Sequence, residues 1–261
     1  MNQLFIIGNW KLNLNKFEIV DFLFKLNNFL FYEKFHSNLI IAVAPPIIYL
    51  ETANNILKKL KSKIVLTAQN IDLNIEGPFT GETSIRMLKD FEFLKYVIVG
   101  HSERRLYHNE TNDCVSKKFK LVKDFNLIPI LCIGETKEEK ELNQTEKVCI
   151  SQIDSILKNL GHYAFRNTII AYEPIWAIGS GVTADPMYVK YIHGFIRNYI
   201  KNYDVLASKN LIIQYGGSVT LNNAEKLLKM EEVNGVLIGS SSLKYDTFLN
   251  IVKLSTKILN E

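Results

Sequence analysis

Four side chains in this sequence have the type and setting to move protons or hold an anion. Glu173 closes a short apolar run, Ile169–Tyr172, and is followed by PIWAIGSG at Pro174–Gly181. A carboxylate ending an apolar strand loses hydration and becomes a stronger base. The competing reading is a loop acid that caps a helix or pairs with a cation. His101 lies in GHSERR, Gly100–Arg105, followed by Ser102 and Glu103 at the expected start of a helix. The positive end of a helix disfavours an imidazolium, which leaves a neutral ring able to donate a hydrogen bond. A structural histidine capping a loop would look the same. Lys11 follows the first apolar run by four residues and can lend positive charge to an oxyanion or a phosphate. Most lysines in such loops are only solvated. Asn9 beside it is either turn chemistry or a ligand contact.

Two glycine-containing turns complete the set. Gly216-Gly217-Ser218 and Gly239-Ser240-Ser241-Ser242 each follow an apolar run. Backbone N–H groups freed by glycine form an anion site, and barrels often bind phosphate after strands seven and eight. Glycine-rich turns are common, so one pair alone would decide nothing. The segment after Glu173 reads as a lid: stiff at Pro174, apolar at Ile175, Trp176, Ala177 and Ile178, flexible at Gly179-Ser180-Gly181. A loop packed permanently on the body is the alternative. His36, His108, His162 and His193 have no comparable context and read as structural.

These residues need elements to position them. Short Ile- and Val-rich runs recur at Leu4–Ile7, Leu39–Ala44, Ile64–Ala68, Tyr96–Val99, Ile128–Ile133, Ile169–Tyr172, Leu211–Tyr215 and Val236–Ile238. Apolar nearly throughout, they read as strands buried on both faces. Helical stripes lie between them. One is Phe17, Val20, Leu23 (with Phe24) and Leu26; another is Val148, Ile153, Ile156, Leu157 and Leu160. Eight such units in 261 residues is about 33 each, close to a βαβ repeat. Alternation implies a parallel sheet. Eight units favour a closed (β/α)8 barrel over an open doubly wound sheet. The open sheet would want a GxGxxG turn where this chain has Gly8-Asn9-Trp10-Lys11. No linker or low-complexity segment divides the chain, so residues 1–261 are expected to form one domain. The clusters Lys58-Lys59-Leu60-Lys61 and Glu138-Glu139-Lys140-Glu141 read as solvated helix faces.

Composition narrows the class. The chain is 47% hydrophobic and 22% charged, which excludes disorder, collagen and coiled coil. A net charge of 31 − 27 = +4 is too weak to argue for nucleic acid and suits an anionic small substrate. Cys114, Cys132 and Cys149 have no CxxC spacing, so a reducing compartment is expected. No apolar run approaches the ~18 residues of a membrane span, and the N-terminus lacks a basic region for a signal peptide. A soluble cytoplasmic protein is the expectation.

Taken together, seven strings resemble the triosephosphate isomerase family: NWKLN at Asn9–Asn13, AQN at Ala68–Asn70, GPFTGE at Gly77–Glu82, GHSERR, CIGET at Cys132–Thr136, AYEPIWAIGSG at Ala171–Gly181, and YGGSV at Tyr215–Val219. They span nearly the whole chain in the family's order. The resemblance implies a (β/α)8 barrel that interconverts dihydroxyacetone phosphate and D-glyceraldehyde 3-phosphate through an enediol(ate), without metal or cofactor, usually as a homodimer. It implies Glu173 as the base and His101 as the electrophile, the neutral imidazole at a helix N-terminus being the documented case for this family. It implies that Lys11 and Asn9 stabilise the oxyanion and hold substrate. Gly179, Gly217, Ser218, Gly239 and Ser240 would grip the phosphate. Glu103, through Lys11, and Ser102 would support the site. The loop Asn74–Thr83, with Phe79, would enter a partner subunit. The chain departs from the family's common pattern at Leu12, Pro78, Ser180, Asn234 and Ser240, and none of these removes a reacting group. A different phosphate-binding barrel, or one that binds without turnover, remains the alternative. An aldolase would need a lysine inside a strand, and a non-catalytic barrel would tolerate loss of Glu173, His101 or Lys11.

Overall fold

The Ile- and Val-rich runs all become strands. The structure, a computed structural model, describes residues 3–33, 35–179 and 182–261. The strands are β1 Leu4–Asn9, β2 Leu39–Ala44, β3 Val65–Ala68, β4 Leu94–Val99, β5 Ile128–Ile133, β6 Ile169–Tyr172, β7 Ile212–Tyr215 and β8 Gly235–Ile238. Each pairs in parallel with the next, and β1 also pairs with β8, so the sheet closes in the order β1 to β8. This is the expected (β/α)8 barrel.

The connecting helices are α1 Lys16–Tyr32, α2 Leu50–Leu60, α3 Ile85–Leu88, α4 Ser102–Tyr107, α5 Asn112–Asp124 and α6 Lys137–Glu141. They continue with α7 Thr145–Leu160, α8 Pro186–Lys201, α9 Val205–Asn210, α10 Leu221–Leu228 and α11 Tyr245–Asn260. Their starts are written locally. Asn15 and Glu18 form a reciprocal capping box on α1, and Thr136 and Glu139 do so on α6. Asp185 caps α8 with Pro186 at its first position.

The strand residues alternate between two apolar clusters. Ile7, Ala42, Ile98, Ile130, Ala171 and Leu237 fill the barrel interior. Ile6, Val43, Val97, Leu131, Ile170 and Val236 face outward into the layer beneath the helices. Both faces are therefore dry, which is why the runs show no polar alternation.

The helical stripes need correction. On α1 the buried residues are Ile19, Phe22, Leu23 and Leu26, while Phe17 is exposed. On α7, Cys149 and Gln152 join Ile153, Ile156 and Leu157 in the buried set, and Val148 and Leu160 are only half-buried. The α1 stripe is rotated toward Ile19 and Phe22, and the α7 stripe is widened by Cys149 and Gln152, because packing against the barrel decides which face is buried. Among the described residues no helix is long and apolar enough to cross a membrane.

Candidate active site

Each functional side chain sits just past the carboxyl end of a strand, where parallel strands point their termini into one mouth. A cavity of about 470 Å3 opens there. It is lined by Asn9 and Lys11 after β1, His101 after β4 and Glu173 after β6. Gly217 and Ser218 after β7, Gly239 and Ser240 after β8, and Gly179 complete it. The structure thus brings together residues that are far apart in sequence.

Glu173 is held from three sides. Its backbone N–H donates to Ile133 O at 2.7 Å. Its Oε2 accepts the Ser102 N–H at 2.9 Å. Its Oε1 is buried without a hydrogen-bond partner among the described residues and lies 3.4 Å from His101 Nε2. Room for this residue, backbone and side chain, comes from two glycines. A Cβ on Gly134 would overlap the Glu173 carbonyl, and one on Gly216 would stand 2.8 Å from its Cγ. A buried carboxylate costs free energy unless its oxygens are satisfied, so a free oxygen facing a cavity is a reactive feature.

His101 is the N-cap of α4, and its Nδ1 accepts the Glu103 N–H at 3.2 Å. That bond assigns Nδ1 as the acceptor, so the remaining ring proton sits on Nε2, facing Glu173 and the cavity.

Lys11 has a left-handed backbone, φ +49°, rare for a residue with a side chain. Two contacts hold it. Asn9 Oδ1 accepts its N–H at 3.1 Å, and Gln69 Nε2 donates to its carbonyl at 2.9 Å and to Ala44 O at 2.8 Å. Its ammonium pairs with Glu103 Oε1 at 2.6 Å. Glu103 therefore reaches both Lys11 and His101, from one turn of α4.

The segment after Glu173 differs from a simple apolar flap. Ile175–Ala177 forms a 3-10 turn. Among the described residues of this segment, Ile178 and Gly179 reach the cavity. Trp176 turns away, its Nε1 donating to Glu135 Oε1 at 2.8 Å and Lys140 Nζ lying 3.2 Å from its ring centroid. Lys140 is thus more than part of a solvated face. Burial pushes the Glu135 carboxyl above the usual range, against the hydrogen bonds it accepts from Trp176 and Tyr172. Gly179 has φ +66° with open space around its α-carbon. Ser180 and Gly181, the remaining lid residues read from sequence, lie outside the described residues.

Sequence reading missed Gln69, Gly134 and Glu135 as supports. All three lie inside the quoted strings, but their partners are tens of residues away and no spacing signals them. His193 is buried with Nδ1 against Glu232 O at 3.0 Å, a structural histidine as expected. Among the described residues no group of His, Cys, Asp or Glu is arranged to hold a metal ion.

Comparison with known proteins follows from this geometry. The family model described as Triosephosphate isomerase matches residues 4–255. A Buchnera aphidicola subsp. Schizaphis graminum (strain Sg) protein named triosephosphate isomerase is 52% identical over 99% of this chain and 100% of its own length. A Blochmanniella floridana protein of the same name is 47% identical over 100% and 99%. One from Wigglesworthia glossinidia brevipalpis is 50% identical over 97% and 96%. Likeness of this extent over nearly the whole chain has one explanation: the chain belongs to the triosephosphate isomerase family.

Proposed function

We propose that this enzyme interconverts dihydroxyacetone phosphate and D-glyceraldehyde 3-phosphate by moving a proton through an enediol(ate), in glycolysis and gluconeogenesis. Glu173 takes the proton from one carbon and returns it to the other. The observation that carries this is its free Oε1, buried at the cavity wall 3.4 Å from His101 Nε2. A base must be oriented and desolvated yet keep one oxygen open for the substrate. His101 Nε2–H polarises the carbonyl, and the Lys11 ammonium with Asn9 stabilises the charge that develops on oxygen. The phosphate lies against the amides of Gly217, Ser218, Gly239 and Ser240, with Gly179 closing from the lid. Ser102 and Glu103 hold the base and Lys11 in place. A coupled assay for dihydroxyacetone phosphate formed from D-glyceraldehyde 3-phosphate tests this reading, and no turnover by folded protein would overturn it.

The proposal includes one domain over residues 1–261, supported by the closed barrel and the match over 4–255. It also includes a homodimer in which Asn74–Thr83 enters the partner. Leu12, 94% exposed, and Ile48, 76% exposed, line a second cavity of about 530 Å3 that shares Asn9, Lys11 and His101, and Phe79 on the loop is 44% exposed. Exposed apolar surface of this kind marks an interface. Sedimentation at micromolar concentration should give about 60 kDa, twice the 30.0 kDa chain. Cytoplasmic residence is the matching proposal, supported by the free thiols of Cys114, Cys132 and Cys149.

A further inference from the structure

Among the described residues Arg105, on α4, has only neutral oxygens for hydrogen-bond partners. Its Nε donates to Gly100 O at 2.8 Å, its Nη1 to Asn112 Oδ1 at 2.7 Å and its Nη2 to Cys132 O at 3.3 Å. Gly100 immediately precedes His101. Cys132 precedes Ile133, whose carbonyl receives the Glu173 N–H. One guanidinium therefore ties together the ends of β4 and β5, the two strands that position His101 and brace Glu173. A carboxylate partner would have cancelled its field; carbonyl and amide dipoles hold it without neutralising it.

The other charges facing Glu173 do not replace this one. Lys11, from the end of β1, is paired with Glu103. His101 accepts the Glu103 N–H at Nδ1 and turns Nε2 toward Glu173. Cys132, from β5, is fully buried, and burial pushes its thiol well up, so it stays protonated. Gly216 after β7 brings no charge, and Gly239 after β8 stands against Lys11. Burial lowers the Arg105 guanidinium from its ordinary range, and the Glu173 and Glu110 carboxylates oppose that change, Glu110 being itself paired with Arg104 and Lys118.

We propose that Arg105 is a positioning residue for the isomerisation, clamping the ends of β4 and β5 and placing its positive charge near the Glu173 base. This rests on the reading of Glu173 as the base.

The test is the pH profile of kcat/KM with D-glyceraldehyde 3-phosphate. In Arg105→Gln the low-pH limb should move up by about 0.5 pH unit or more, about a threefold loss on that limb. Arg105→Lys, which keeps the charge, should restore the limb even where kcat falls. Asn112→Asp keeps Arg105 and its clamp but gives the guanidinium a carboxylate neighbour; its limb should also rise. A wild-type limb in Asn112→Asp, or in folded Arg105→Gln, would overturn the proposal. Should Arg105→Gln not fold, Asn112→Asp decides alone. A wild-type protein without isomerase activity, or full turnover in Glu173→Gln, would instead overturn the functional reading beneath it.

Discussion

The backbone N–H of Ser218 donates to the carbonyl of Ala177 across 3.1 Å. The segment after Glu173 thus occupies, with its own oxygen, one of the amides assigned to the substrate phosphate. Were the substrate phosphate to take this N–H, as proposed, Ala177 would be displaced, and binding would be coupled to movement of the segment by competition for one donor. The Trp176–Glu135 bond at 2.8 Å ties down the segment behind the turn.

Shortening Ile175–Gly179 should lower isomerisation and raise the fraction of turnover that ends as methylglyoxal and free phosphate. An enediolate phosphate exposed to water expels its phosphate, and a closed lid prevents this by excluding water. Product partitioning against wild type measures it. An unchanged ratio, with substrate still bound, would mean that the segment is a fixed wall.

Glu173→Gln should lower kcat by about 10²–10⁴-fold with little change in KM, the usual contribution of a positioned general base. The amide keeps the size of the side chain and can still accept the Ser102 N–H. Steady-state kinetics on folded protein decide the matter, and wild-type turnover would remove Glu173 from the role.

Ser240→Gly should leave inhibition by inorganic phosphate unchanged or slightly stronger. Ser240 lines the cavity at the start of a 3-10 turn, and the substitution keeps its N–H while removing a Cβ beside the anion. Markedly weaker inhibition in that variant would show that the hydroxyl itself holds the phosphate.

Stability should fall in mild acid through His193. Burial lowers this imidazole from 6.5 to about 4, against the bond to Glu232 O, and its Nε2 has no partner among the described residues. Between those values the unfolded chain binds a proton that the folded chain excludes. Stability from this group is therefore full above pH 6.5 and is lost as pH falls toward 4, by about 2–3 kcal/mol at pH 4.5. Urea unfolding of wild type and His193→Phe at pH 7 and 4.5 checks this: the wild type should lose more stability than the variant. Equal losses would contradict it.

The strands were legible because each is buried on both faces. A run such as Ile128–Ile133 must be apolar throughout to sit between barrel interior and helix layer, and such a run needs no partner to be recognised. Glu173, His101 and Lys11 were legible for a related reason: a polar residue directly after an apolar run stands out in one dimension, and the quoted strings matched a known family. The rotation of the α1 stripe was less legible, because Phe17 and Ile19 are equally apolar and only packing against the barrel buries one and exposes the other. Tertiary structure alone decided the couplings. The left-handed Lys11 backbone is held by Gln69, 58 residues away, and Glu173 is held by Ser102, 71 residues away. Trp176 faces Glu135 and Lys140 instead of the cavity. Closure of the parallel sheet brings the ends of β1, β4, β6, β7 and β8 to one mouth, and a hydrogen bond across that mouth leaves no periodic trace in the chain. Sequence thus determined which groups could react. The closed barrel decided which of their atoms are left free to do so.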